Sequence, residues 1–202
     1  MMRRATVERK TKETMIQVRL DLDNGQPGPM ATGVPFLDHM LTLLATHGLF
    51  GLTIKATGDL EIDLHHTNED IGLVLGQAFD RALGDRTGIA RYGWAYVPME
   101  EALARVVLDF SGRPKLVIRD GRPPRLIKRP SGSIGAYQWG DAEHFLESFT
   151  RTAKITLHID ILAGSDFHHT CEAVFKALGR ALEQATRLRP RVKGIPSSKG
   201  RL

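Results

Sequence analysis

The pattern His-His-x-x-Glu occurs twice, as His65-His66-Thr67-Asn68-Glu69 and as His168-His169-Thr170-Cys171-Glu172, in a chain with only eight histidines. Imidazole nitrogen with carboxylate oxygen is the ligand set of a borderline transition metal such as Zn, Mn or Fe. On a helix, adjacent side chains diverge by ~100°, whereas residues three or four apart share a face. Each Glu can therefore share a face with either of its histidines, but adjacent histidines do not easily grip one ion together. Each copy then serves two ions, and an ion left short by one copy is completed by the other. An acid–His pair precedes each copy: Asp38-His39 lies 26 residues before His65 by its histidine, and Glu143-His144 lies 24 before His168. With His39 and His144 the set reaches six His and two Glu, enough for two sites of three His and one Glu. Such sites leave open positions on a six-coordinate ion, where substrate or water binds. The nitrogen-rich, sulfur-free set fits Mn or Fe better than closed structural Zn, and Zn stays open. Cys171 aligns with Asn68 in the other copy and reads as a small helical residue. His47 and His158 read equally well as site residues or as ordinary surface or hydrogen-bonded core residues.

Two similar half-units must position these side chains. Glu13 precedes Asp21 by eight residues, as Glu101 precedes Asp109, in matching apolar surroundings. Apolar helical runs, Ile71–Leu83 and Ala173–Leu182, follow the two motifs. Each half reads as a strand (Met15–Asp23; Ala102–Phe110) and a second extended piece (Met30–Val34; Lys115–Arg119). An amphipathic helix with the acid–His pair follows (Phe36–His47; Glu143–Thr152), then an aliphatic strand (Leu52–Thr57; Ala153–Ile161) and a helix opening at the His-His pair. The expected fold is α+β: an internally duplicated β-β-α-β-α half-domain, each sheet packed on helices. The expected units are half-repeats 1–92 and 93–186, joined near Gly88 to Pro98, and a basic tail 187–202. Asp120 to Gly140, basic and rich in Gly and Pro, reads as an inserted loop or extended hairpin.

Composition narrows the function classes. Hydrophobic content of 42% and charged content of 25% are those of a soluble globular protein. A single cysteine excludes an intrachain disulfide and favours a reducing compartment. The polar stretch Met1–Lys12 lacks the apolar core of a secretory signal, and no run approaches the ~18 apolar residues of a membrane span. A cytoplasmic protein is expected. A net charge of +5 admits nucleic acid or an anionic small molecule as partner. Arg187 to Leu202 holds six basic residues and no acidic one, with few aromatics to stack on bases. That pattern favours a phosphorylated metabolite over nucleic acid.

Six segments carry a family resemblance: Pro35-Phe-Leu-Asp-His-Met40, Leu64-His-His-Thr-Asn-Glu-Asp70, Asp109-Phe-Ser-Gly-Arg-Pro114, Glu143-His-Phe-Leu-Glu-Ser-Phe149, Phe167-His-His-Thr-Cys-Glu172 and Pro196-Ser-Ser-Lys-Gly200. In this order they span nearly the full chain, which strongly resembles the imidazoleglycerol-phosphate dehydratases of histidine biosynthesis. The resemblance implies a duplicated, ribosomal protein S5 domain 2-like fold. It implies a pair of Mn2+ ions per active site (Zn or Fe not excluded) and a homo-oligomer of about 24 subunits with active sites between them. The implied activity is a hydro-lyase reaction, D-erythro-imidazole glycerol phosphate to imidazole acetol phosphate through a metal-bound imidazolate. Carried over by position, the metal ligands are His39, His65, His66, Glu69, His144, His168, His169 and Glu172. Glu13 becomes the catalytic base. Substrate contacts fall on Glu13, His39, His47, His65 and Glu69, and phosphate contacts on Arg91, Arg113, Ser198 and Lys199. Family members usually have Asp where this chain has Glu100, and their counterpart of Asp120–Gly140 is shorter.

Two other readings compete. A dinuclear metallohydrolase acting on a phosphoester would want a set richer in Asp, with a bridging carboxylate. A metal-stabilised nucleic-acid-binding protein is favoured only by charge and the tail.

Overall fold

Strand alternation turns Ile16, Val18 and Leu20 of β2 (Thr14–Asp21) inward and leaves Met15 and Arg19 exposed. The computed structural model describes residues 3–120 and 130–202. β2 pairs antiparallel with β1 (Arg4–Lys10) on one side and with β4 (Gly51–Gly58) on the other, and β3 (Met30–Ala31) runs parallel to β4. The sheet order is β1-β2-β4-β3. The same order recurs as β5-β6-β10-β7, built from β5 (Tyr92–Met99), β6 (Ala102–Asp109), β7 (Lys115–Asp120) and β10 (Thr156–Ala163). Between β7 and α3 (Trp139–Ala153), a small hairpin pairs β8 (Ser133–Ile134) with β9 (Tyr137–Gln138). The rest of the expected inserted loop, 121–129, lies outside the described residues.

The fold is α+β, and the expected β-β-α-β-α order appears in each half behind one further strand. Those strands were hidden for physical reasons. β1 is an edge strand with a single fully buried residue, Val7. β5 lies where a connection was expected and inverts the usual alternation. Its small residues Gly93 and Ala95 face inward, and Tyr92, Trp94 and Tyr96 face out. A Cβ at Gly93 would stand 1.9 Å from the carbonyl oxygen of Ala181, so only glycine lets α4 (Phe167–Thr186) lie so close to β5.

The helices form the layer between the sheets. α2 (His65–Leu83) carries Ile71, Val74, Leu75, Ala78, Phe79 and Ala82 on its buried side, the spacing of an amphipathic helix. It runs parallel to α3, as Asn68 Nδ2 donates to the Asp141 carbonyl and Thr152 Oγ1 to that of Leu73. α1 (Pro35–Gly48) runs parallel to α4, with the backbones meeting where Gly179 passes Leu44. The basic tail is pinned back on the chain. Arg189 N donates to the Gly88 carbonyl, Gly88 N to that of Gly194, and Arg91 Nη1 to that of Pro196.

Candidate metal centres

Two triads of imidazole and carboxylate form, and each crosses between the halves. His39 of α1 meets His168 and Glu172 of α4, and His144 of α3 meets His65 and Glu69 of α2. Within each triad the candidate ligand atoms lie within 4.8 Å of one another. In the first, Glu172 Oε1 lies 2.9 Å from both His39 Nε2 and His168 Nε2. That matches the ~3 Å edge of an octahedron built from ~2.1 Å metal–ligand bonds. In the second, Glu69 Oε2 lies 3.6 Å from His144 Nε2 and 3.9 Å from His65 Nε2, and the two rings stack with centroids 4.3 Å apart. The donor chemistry and spacing fit a divalent transition metal.

Local sequence explains these placements. Pro35 at the start of α1 fixes the chain for helix entry. Asp38 Oδ1 accepts from Thr32 N and Oγ1, at 2.9 and 2.7 Å, and ties α1 to the end of β3. The acid of the first acid–His pair is thus an anchor that turns its neighbour His39 toward α4. In the second pair, Glu143 Oε1 accepts from Trp139 Nε1 at 2.7 Å. Asp166 caps α4 by accepting from His169 N at 2.9 Å. Between α2 and α3, Gly72 and Gly76 permit contact, since a Cβ at Gly76 would stand 2.5 Å from the Phe149 carbonyl oxygen. That close crossing brings His144 to Glu69.

Each triad carboxylate has a cation beside it. Burial would raise the pKa of Glu172, but Lys176 Nζ at 2.5 Å, with His39 and His168, outweighs it and holds the carboxyl at about 2. Arg151 Nη2 lies 3.0 Å from Glu69 Oε1. Neither cation was singled out beforehand, although Lys176 is four residues after Glu172 and so was readable.

The second histidine of each motif leaves its triad. His66 Nδ1 lies 2.9 Å from Asp59 Oδ2 and 3.9 Å from Glu13 Oε2. His169 Nδ1 lies 2.8 Å from Glu101 Oε2. Hydrogen bonds to these acids raise both histidine pKa values. Backbone N–H of Asp166, then the His169 ring and the Ser165 N–H, hold Glu101 down to about 2. Among the described residues, no hydrogen bond reaches Nε2 of His66 or His169. Asp59 gave no signal in the sequence, because its reach to His66 depends on how the loop after β4 returns.

The remaining expected site residues lie elsewhere. His47 is eight residues beyond His39, ~12 Å along α1. Its pKa is lowered by burial, then by Lys176 and Arg180. Arg91 forms a bidentate pair with Asp109 at 2.7 and 3.0 Å, and its own N–H bonds the Ala185 carbonyl at the end of α4. Arg113 sits after β6, where Gly112 N bonds the Lys154 carbonyl beyond α3 and Gly112 abuts Leu202. The tail with Ser198 and Lys199 runs between these points. Arg91, Arg113, Ser198 and Lys199 thus share the C-terminal end of the helical layer, and the triads occupy the other end.

The fold and these triads define an α+β protein of two similar sheet-and-helix halves, with His/Glu clusters compatible with metal. The chain belongs to the imidazoleglycerol-phosphate dehydratase family, whose model matches residues 32–182, and it is an enzyme of the hydro-lyase class. Proteins named imidazoleglycerol-phosphate dehydratase are 52% identical to it in Aromatoleum aromaticum, over 100% of both chains, and 50% identical in Pelobacter propionicus, over 99% of both. The crystal structure of that enzyme from Staphylococcus aureus is 36% identical, with a TM-score of 0.79 over 92% of this chain and 99% of its own. The one from Pyrococcus furiosus is 35% identical, with a TM-score of 0.81 over 97% and 100%.

Proposed function

We propose that this chain converts D-erythro-imidazole glycerol phosphate to imidazole acetol phosphate in a metal-dependent step of histidine biosynthesis, in the cytoplasm. The crossed pair of triads carries the reading: two His and one Glu converge at each, and open sides remain for a ring nitrogen. His39, His168 and Glu172 would hold one ion, and His65, Glu69 and His144 the other. A bound divalent ion, Mn2+ in this reading, with Zn or Fe as other candidates, supplies a Lewis acid and a template for the imidazole ring. His66 and His169 turn their Nδ1 to Asp59 and Glu101, away from the triads, and their Nε2 atoms would complete the triads of neighbouring copies.

Glu13 is exposed and near His66, free to take the proton from the side-chain carbon beyond the departing hydroxyl. The resulting enol ketonises to the product. Arg91, Arg113, Ser198 and Lys199 would grip the phosphate, and that remote binding energy orients the reacting carbons. Asp109 keeps the Arg91 guanidinium fixed for this contact.

Distance argues for assembly. From His168 to Ala185, where Arg91 docks, α4 rises ~26 Å. A substrate of one ring, three carbons and a phosphate spans roughly 10 Å. With the ring at the triads and the phosphate at Arg91, Arg113, Ser198 and Lys199, one chain would not span one substrate, and in this reading a second copy would bring its phosphate-binding residues to the first copy's triads. This supports a homo-oligomer, in this reading of about 24 subunits with closed symmetry, using the half-repeats 1–92 and 93–186 and the tail 187–202 as its units.

Glu13→Gln tests the proton step. Metal content should be unchanged and kcat should fall by about 10²–10⁴-fold. Turnover that survives the substitution removes Glu13 as the base.

A further inference from the structure

Glu13 and Glu101 occupy equivalent positions, each just before the second strand of its sheet (β2 and β6), yet their surroundings differ. Glu101 is fully engaged. It accepts from Ser165 N at 3.1 Å, Asp166 N at 2.8 Å and Ser165 Oγ at 3.4 Å, and its other oxygen lies 2.8 Å from His169 Nδ1. Among the described residues the Glu13 carboxylate makes no such bonds, and it stands 3.9 Å from His66 Nδ1. In the first half Asp59 takes over the contact that Glu101 makes in the second, at 2.9 Å from His66 Nδ1.

Loop lengths account for the exchange. Residues 164–166 join β10 to α4, a short turn that presents the N–H groups of Ser165 and Asp166 to Glu101. Residues 59–64 join β4 to α2, and this longer loop opens with Asp59 against the His66 ring. The strand turns differ as well. Residues 100–101 join β5 to β6, whereas 11–13 join β1 to β2, where Thr11 Oγ1 accepts from Glu13 N at 3.1 Å and from Thr14 N at 2.9 Å. That wider turn holds the Glu13 side chain off His66.

We propose that Glu101 is the positioning residue that orients His169, that Asp59 does the same for His66, and that this takeover by Asp59 frees Glu13 to react. A carboxylate on Nδ1 fixes ring orientation and tautomer and makes Nε2 the better donor, the arrangement that outer partners of metal-binding histidines provide. The duplicated acid has therefore split its duties. One copy is spent on holding a ligand, and the other is released because a loop acid holds its ligand instead. The proposal rests on reading His66 and His169 as metal ligands.

The test is Mn2+ titration by electron paramagnetic resonance on the full-length assembled protein, with kcat measured alongside. His169→Ala and His66→Ala, each expected to weaken Mn2+ binding, check the ligand reading. Glu101→Gln and Asp59→Asn should each raise the Mn2+ Kd by about 10–100-fold. Glu13→Gln should leave the Kd at the wild-type value while kcat collapses. Thermal unfolding of each variant separates lost metal affinity from lost fold, and the Asp59 and Glu101 substitutions stand as independent readouts if one fails to fold. If the His→Ala variants weaken binding and both Gln and Asn variants bind as wild type, the positioning roles are wrong though the ligands stand. If the His→Ala variants bind Mn2+ as wild type, the ligand reading fails and takes this proposal with it. If Glu13→Gln weakens Mn2+ as much as Glu101→Gln, the duties have not been split.

Discussion

At the scale of single residues, the His and Glu that form the two triads were the most legible feature of the chain. His and Glu are few, their spacing repeats, and helix geometry dictates which of them share a face. That geometry also foretold the divergence of adjacent histidines. His65 and His168 enter triads, and His66 and His169 turn to Asp59 and Glu101. Cys171 illustrates the reading by analogy between copies. It aligned with Asn68 rather than with a ligand, and it is fully buried in α4. Burial pushes its thiol pKa up, so little thiolate forms. In the folded protein Cys171 should react with a disulfide reagent orders of magnitude more slowly than in the urea-unfolded chain. Equal rates in both states would show that α4 opens near the metal end. The partners of His66 were not readable. Asp59 lies seven residues away across a turn, and no periodicity relates a loop residue to a helical one.

At the scale of elements, the helices were legible and the edge strands were not. Helices α2 and α4 bury apolar residues at helical spacing, and the pattern alone defines them. Strand β1 buries little, and β5 hides small residues beneath α4 while exposing its aromatics, so neither shows the alternation of a half-buried strand. The turn between β5 and β6 carries Glu100 at a φ of 50°, in the left-handed region. Asp tolerates that region better than Glu does. The crossing of α2 and α3 makes the most specific claim at this scale, because the approach at Gly76 sets the distance from His144 to Glu69. Gly76→Ala forces the helices apart and should cost roughly 1–3 kcal/mol of stability in chemical unfolding. It should weaken metal binding at the His65–Glu69–His144 triad and spare the His39–His168–Glu172 triad. Equal weakening at both would mean that the crossing does not position His144 in particular.

At the scale of the whole molecule, the duplication places the triads at one end of the helical layer and the basic tail, with Arg91 and Arg113, at the other. The basic tail is pinned against residues 88–91 and by Arg91 to the Pro196 carbonyl, and its last residue, Leu202, abuts Gly112 beside Arg113. Tyr92, Trp94 and Tyr96, each more than half exposed on the outer face of β5, form an aromatic row of the kind that assembly covers. How the halves pack could not be read from sequence, because the crossings depend on glycine contacts between segments far apart in the chain. Metal-dependent dehydration is tested by turnover of imidazole glycerol phosphate with chelator-stripped protein, before and after Mn2+ is restored. The stripped protein should give no imidazole acetol phosphate, and production should be sustained once the ions return. Undiminished turnover after complete metal removal, or no product from a metal-replete sample, would contradict metal-dependent dehydration.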